Sequence, residues 1–90
     1  MQIEIFSSFT RDSKKLSTKV KEDIADAVSI IYAAKTFLDI PRTSAMQGGK
    51  NAKHAYRMRI GDYRICFYFR NGIIELVRVL PRKDVYKVFP

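Results

Sequence analysis

Three arginines in one short stretch hold most of the chemistry this sequence can offer. Arg57 and Arg59 alternate with Tyr56, Met58 and Ile60, and Arg64 follows beyond a Gly61-Asp62 pair. A guanidinium is planar, charged at every ordinary pH, and able to grip a phosphate with two parallel hydrogen bonds. Alternation at period two places Arg57 and Arg59 on one face of a strand. Gly61-Asp62 has the glycine-first form of a two-residue type II′ hairpin turn, which sets Arg59 opposite Arg64 and Arg57 opposite Cys66. Directly opposed like charges weaken a sheet, and no carboxylate stands in the pair. The cluster is therefore read as an anion-binding face rather than a solvated basic surface.

Other groups extend the set. Arg82, Lys83 and Tyr86 follow the last predicted strand. A tyrosine four residues after an arginine can stack on a base or donate a proton, although by composition these are ordinary surface residues. Lys50, Lys53 and His54 make a basic end to a loop carrying Gly48-Gly49. A single histidine in such a loop is ordinarily a solvated side chain. Glu75 falls on the arginine face, where it can orient a guanidinium or serve as a base. No glycine-rich phosphate loop, zinc-ligand spacing or serine-nucleophile elbow occurs, so neither a metal nor a cofactor is expected. An enzyme built from Arg, Lys and Tyr, with Glu or His, is suited to RNA cleavage. The RNA 2′-hydroxyl supplies the nucleophile; the protein need only orient it, stabilise the pentavalent phosphate and move protons.

These residues need a frame. Residues 2–6 alternate as a short strand. Ser7, Ser8 and Thr10 offer N-caps for a helix to about Leu16, and Ser17 or Thr18 caps a second. Val20, Ile24, Val28, Ile31, Tyr32 and then Phe37 or Leu38 form its apolar stripe, and Pro41 ends it. Residues 42–54 lack periodicity and are expected to be loop. Ala55–Ile60, Tyr63–Arg70 and Ile73–Leu80 form an antiparallel meander, the second turn being Asn71-Gly72. Its apolar face pairs Ile60 with Tyr63, Met58 with Ile65 and Tyr56 with Phe67. Strict pairing across the second hairpin sets Tyr68 opposite Glu75 and Arg64 opposite Val79. It also puts Arg78 opposite Ile65 on the apolar face, which requires a bulge or a snorkelling side chain. The expected fold is α+β: an N-terminal strand, a two-helix hairpin packed on a three- to four-stranded antiparallel sheet, and a short C-terminal tail, as one domain over 1–90.

Composition agrees with a small folded domain. The chain has 90 residues, 47% hydrophobic and 29% charged, which argues against intrinsic disorder. One cysteine, Cys66, leaves no internal disulfide framework. No signal-peptide pattern opens the sequence and no apolar run nears the ~20 residues of a membrane helix, so a cytoplasmic protein with no membrane partner is expected. The net charge is +8, and residues 50–90 carry ten basic against three acidic residues. That balance suggests a nucleic acid or another anionic partner.

The order of parts resembles the RelE/ParE toxins of bacterial type II toxin–antitoxin systems. The resemblance spans nearly the whole chain. Tyr56-Arg57-Met58-Arg59-Ile60-Gly61-Asp62-Tyr63-Arg64 is similar to that family's Tyr-Arg-x-Arg-x-Gly-x-Tyr-Arg hairpin, and Arg82-Lys83-Asp84-Val85-Tyr86 to its closing Arg-x-Asp/Glu-Val-Tyr. The RelE branch cuts mRNA within the ribosomal A site. The resemblance thus implies an mRNA endonuclease, with ribosome and mRNA as partners and growth arrest as its effect. It implies a cognate antitoxin protein that wraps the toxin, and operator DNA contacted only through that complex. Arg57 and Arg59 take the places of the branch's basic strand residues. Arg64 takes that of its phosphate-stabilising arginine, Arg82 of its second catalytic arginine and Tyr86 of its terminal tyrosine. Lys50, Lys53, His54 and Lys83 would be auxiliary contacts to RNA or ribosome. Two departures stand out: Pro81 occupies the place of a common histidine, and no acidic residue sits in the loop before the Arg57 strand, where some members carry a general base. Proton transfer then falls to Tyr86, a lysine or His54. The alternatives are a ParE-like inhibitor of DNA gyrase, which needs no arginine cluster, and an inactive homologue that only binds its antitoxin.

Overall fold

The computed structural model describes residues 1–90. In chain order it has β1 (Gln2–Ile5), α1 (Ser7–Lys14), α2 (Thr18–Ala33), β2 (Thr43–Ala45), β3 (Ala55–Ile60), β4 (Tyr63–Arg70), β5 (Ile73–Pro81) and α3 (Val85–Val88). Single 3₁₀ turns lie at Phe37–Asp39, Gly49–Ala52 and Arg82–Asp84. No helix is long and apolar enough to cross a membrane.

Turn chemistry sets the centre of the sheet. Asn71 and Gly72 take φ of 54° and 75°, the two left-handed residues of a type I′ turn. Gly61 takes φ 58° while Asp62 does not enter the left-handed region, as a type II′ turn requires. The β3–β4 register follows: Ile60 faces Tyr63, Arg59 faces Arg64, Met58 faces Ile65, Arg57 faces Cys66 and Tyr56 faces Phe67.

The α+β architecture expected from the sequence is present, but the sheet is larger and mixed. Its order is β1-β5-β4-β3-β2. β1 runs parallel to β5, pairing Gln2 with Ile73, and the other pairs are antiparallel. β2 lies in the stretch expected to be loop. Three residues are too few to show a period, so only the pairing of Thr43 with Met58 and Ala45 with Tyr56 reveals it.

The helices cover one face of the sheet. Phe9, Ile24, Ala27 and Ile31 pack on Met58, Ile65, Phe67, Ile74 and Leu76 in one core. Ser17 caps α2 by accepting from the Val20 amide at 3.3 Å. α1 differs from expectation: it starts after Phe6 with no side-chain cap, and the Ser8 hydroxyl donates to the Val77 carbonyl instead. α2 also stops earlier than Pro41. The chain turns extended at Ala34, and the Thr36 amide and hydroxyl donate to Asp39 across a fresh 3₁₀ turn. Leu38 therefore leaves the apolar stripe and is 90% exposed, Tyr32 within α2 is 68% exposed off that stripe, and Phe37 stacks on Phe69 and packs at a tilt against Tyr56.

A bulge resolves the Arg78 conflict. Phe67 faces Leu76 but Cys66 faces Arg78, so β5 carries one extra residue there. Arg64 consequently faces Leu80, not Val79 as strict pairing has it. Arg78 reaches Asp12 on α1 through two hydrogen bonds, Nε to Oδ2 at 2.7 Å and Nη2 to Oδ1 at 3.0 Å. Asp12 Oδ2 also accepts from the Val79 amide at 3.0 Å. The carboxylate thus ties α1 to the strand immediately after the bulge.

The opposite face of the sheet is half covered. Met46, Ala52, Ala55, Cys66, Leu80, Val85 and Phe89 form a second, smaller core, with Tyr68 and Val77 at its margin. The C-terminal residues expected to be an untyped tail are thus a 3₁₀ turn and one helical turn, anchored by Val85 and Phe89. What the sequence presents as one arginine face is a site beside an apolar patch.

Candidate functional site

Arg57 and Arg64 of the central hairpin are held by backbone carbonyls rather than by acids. Arg64 Nη1 donates to the carbonyls of Gly61 and Tyr63, both at 2.9 Å, so the guanidinium is folded against its own turn. Arg57 Nη1 donates to the Ala45 carbonyl at 3.1 Å and to Tyr86 Oη at 3.0 Å. The Arg57 Cζ lies 5.6 Å from the centroid of the Tyr86 ring. α3 therefore delivers Tyr86 to the arginine face, with Val85 and Phe89 buried on either side as its anchors. Tyr86 Oη also accepts from the Gln47 amide at 3.3 Å. With two donors on its oxygen, the phenol has its own proton left to give.

The register leaves the charges unbalanced. Among the arginines, only Arg70 and Arg78 sit in ion pairs. Arg57, Arg59, Arg64 and Arg82 have no carboxylate within salt-bridge reach. Burial, then the charges of Arg82, Arg59 and Arg57, push Arg64 below the ordinary arginine value. Those four cations therefore share one electrostatic field, and an anion entering it is attracted by all of them. Glu75 does orient a guanidinium, but that of Arg70, at 2.6 Å, on a group that also lies over the Tyr68 ring.

Two clefts flank Arg64. One, of about 350 Å³, is lined by Arg42, Thr43, Ser44, Arg57, Arg59 and Arg64. The other, of about 570 Å³, is lined by Asp62, Pro81, Arg82 and Lys83. Arg82 is fixed at the strand end, where its amide donates to the Asp62 carbonyl at 2.9 Å. The predicted residues thus divide. Arg57, Arg59, Arg64, Arg82 and Lys83 line these two clefts, whereas Tyr86 lines neither and joins the group only through its bond to Arg57. Lys50, Lys53 and His54 line neither cleft; they sit exposed around the Gly49–Ala52 turn, at the far end of β3 from Arg59. Arg42 is the residue that sequence reasoning missed. It follows Pro41 in a stretch with no period, and its place depends on β2 pairing: the Arg59 amide donates to the Arg42 carbonyl at 2.9 Å and Arg42 Nε to the Arg59 carbonyl at 3.0 Å.

Fold and site together define a class: a small basic α+β protein that presents unpaired guanidiniums and a tyrosine at one end of an open mixed sheet. The same architecture occurs in solved toxins. A chain of the RelB–RelE antitoxin–toxin complex of Methanococcus jannaschii is similar over 96% of this chain and 98% of its own, with 25% identity and a TM-score of 0.73. A chain of the archaeal RelE–RelB complex of Pyrococcus horikoshii is similar over 93% and 97%, at 18% identity and TM-score 0.67. YafQ from E. coli is similar over 91% and 93%, at 13% identity and TM-score 0.69. No protein-family model and no curated protein matches the sequence. By its fold and these structural neighbours, the chain is a member of the RelE-like toxin superfamily.

Proposed function

We propose that this protein is the toxin of a type II toxin–antitoxin system and that it acts as an endoribonuclease on mRNA at the ribosome. One observation carries the reading: four arginines without acidic partners gather around Arg64 at one end of the sheet, and Tyr86 is bonded to one of them, Arg57. Stability alone does not favour that arrangement, because opposed like charges weaken a sheet. A phosphodiester entering the site supplies the missing negative charge.

In this mechanism the RNA 2′-hydroxyl gives its proton to water as its oxygen attacks the adjacent phosphorus, leaving a 2′,3′-cyclic phosphate once the 5′-oxygen has departed. A pentavalent phosphorane forms and the 5′-oxygen leaves. Arg64 and Arg82 stabilise the charge that develops on the phosphoryl oxygens, with Arg57 and Arg59 holding the substrate backbone. Tyr86, whose oxygen is occupied by Arg57 and Gln47, donates its proton to the leaving oxygen. Pro81 at the cleft wall has no proton to transfer, and of Tyr86, a lysine and His54 this reading gives that duty to Tyr86. Lys50, Lys53 and His54, exposed and apart from the clefts, serve as contacts to the ribosome. A cognate antitoxin protein neutralises the cationic face, and operator DNA is met only through that complex.

The test is inducible expression of wild type and Arg64→Ala in bacteria, with primer extension on a translated mRNA. Wild type should arrest growth and cut within the reading frame. Arg64→Ala should lower the single-turnover cleavage rate on programmed ribosomes by about 10²–10³, the usual cost of losing one preorganised charge-stabilising donor. Arrest with DNA damage and no cuts would move the assignment to a gyrase inhibitor. No arrest would leave an inactive homologue.

A further inference from the structure

Arg42 belongs to the same site for a reason that cleavage chemistry does not need. It holds φ at 55°, in the left-handed region that a long side chain rarely adopts. That conformation crowds its Cβ against the following carbonyl oxygen. The other non-glycine residues in that region lie in the turn before β3 (His54) and in the β4–β5 hairpin turn (Asn71). Arg42, like His54, closes a turn immediately before a strand. The strain is retained where its side chain borders two clefts, one shared with Arg57, Arg59 and Arg64 and one with Asp23 and Asp26 of α2. No carboxylate lines the arginine cleft, and Arg42 makes no ion pair. Its Nε is bonded to the Arg59 carbonyl, and neither of its terminal nitrogens has a partner within the chain.

Position in the sheet adds the second observation. Arg82 follows the end of β5, Arg64 begins β4, Arg59 is at the end of β3, and Arg42 immediately precedes β2. Arg42, Arg59 and Arg64 are successive neighbours across the sheet, and Arg82 continues the row diagonally, two residues beyond Leu80, the partner of Arg64. At ~4.8 Å between strands the row spans about 14 Å, more than a single phosphate can bridge. The hydroxyl of Ser44, which donates to nothing in the chain, lies beside Arg42 in the arginine cleft.

We infer that Arg42, with Ser44, binds a phosphate of the nucleotide chain flanking the one that reacts, so that single-stranded RNA crosses the strands along the Arg82–Arg64–Arg59–Arg42 row. This rests on the ribonuclease reading and adds a direction and a second phosphate subsite to it. Arg42 contributes binding that is equal in ground and transition states, so its removal weakens affinity without changing the chemical step.

The experiment measures binding of wild type and Arg42→Asn to a fluorescent 2′-O-methyl RNA oligonucleotide, which cannot be cleaved, across a range of salt concentrations. Asparagine tolerates the left-handed region, so the backbone is kept. Arg42→Asn should bind about tenfold more weakly at low salt. Its log Kd against log salt should be shallower by about 0.7, the value for neutralising one phosphate fewer on a single strand. Arg42→Lys should keep most of the slope. In single-turnover cleavage on programmed ribosomes, Arg42→Asn should raise the half-saturating toxin concentration and leave the maximal rate unchanged. Binding by wild type with the same slope in Arg42→Asn would overturn this inference alone. A fall in the maximal rate would overturn it too, since Arg42 would then act on the reacting phosphate. Wild type that binds a glutamate-rich peptide and not RNA would overturn both this inference and the ribonuclease reading in favour of a protein partner.

Discussion

Asp12 is the residue on which a single substitution should show most. Its carboxylate takes three hydrogen bonds, two from Arg78 and one from the Val79 amide, and its side chain is only 9% exposed. Asp12→Ala leaves a guanidinium and a buried amide without acceptors. Removing one partner of a buried pair costs about 3–5 kcal/mol. The Arg78 side chain is 26% exposed and can recover part of its solvation, so the expected loss is at the lower end, about 3 kcal/mol. A domain of this size has roughly 5–13 kcal/mol in all, so the variant should remain folded but fragile. Its melting temperature should fall by about 12–24 °C. Urea unfolding should show a lower midpoint with an unchanged slope. The double variant Asp12→Leu with Arg78→Met removes both charges but still leaves the Val79 amide without its acceptor, so it should recover to within about 1–2 kcal/mol of wild type. A loss below about 1 kcal/mol in Asp12→Ala, or no recovery in the double variant, would refute the claim that this ion pair clamps the bulge.

Two further outcomes follow from the site and the second core. Tyr86→Phe keeps the ring over Arg57 but removes the proton donor, so single-turnover cleavage should fall by about 10² while urea midpoints stay put, since the hydroxyl's partners are exposed. Cys66 is buried, and burial pushes its thiol up to about 12. It should resist iodoacetamide in the native state at pH 8 and react only on unfolding. The unfolded thiol ionises near pH 9 while the folded one does not, so the unfolded state binds fewer protons and stability falls as pH rises from about 9 toward 12. Cys66→Ala should flatten that alkaline decline in a pH series of urea midpoints.

What the sequence made legible was what local chemistry decides. Gly61-Asp62 and Asn71-Gly72 encode their turns directly, and with the β3–β4 turn fixed every pair from Tyr56–Phe67 to Ile60–Tyr63 follows by counting. Arg57, Arg59 and Arg64 came together for that reason. The residues that escaped are those placed by distant partners. β2 has three residues and no period of its own, so Arg42 was invisible until β3 was there to pair with it. Arg78 signalled an irregularity, but only Asp12, far earlier in the chain, says where the extra residue goes. The second core escaped because Val85 and Phe89 look like an ordinary tail until Cys66, Leu80 and Ala55 present them with a surface.

The parallel pairing of Gln2 with Ile73 has a consequence in time rather than in space. The meander of β3, β4 and β5 closes through short turns and can form early, because its pairings are local. β1 leaves the ribosome long before β5, and a loop holding both long helices and three other strands must close before that pairing stabilises anything. Tyr86 comes later still, and its place on Arg57 depends on Val85 and Phe89 settling against the finished sheet. The β3–β4 arginine hairpin thus precedes the rest of the candidate site in the order of synthesis. A nascent chain that has already made its arginine cluster still lacks the tyrosine that would work beside it.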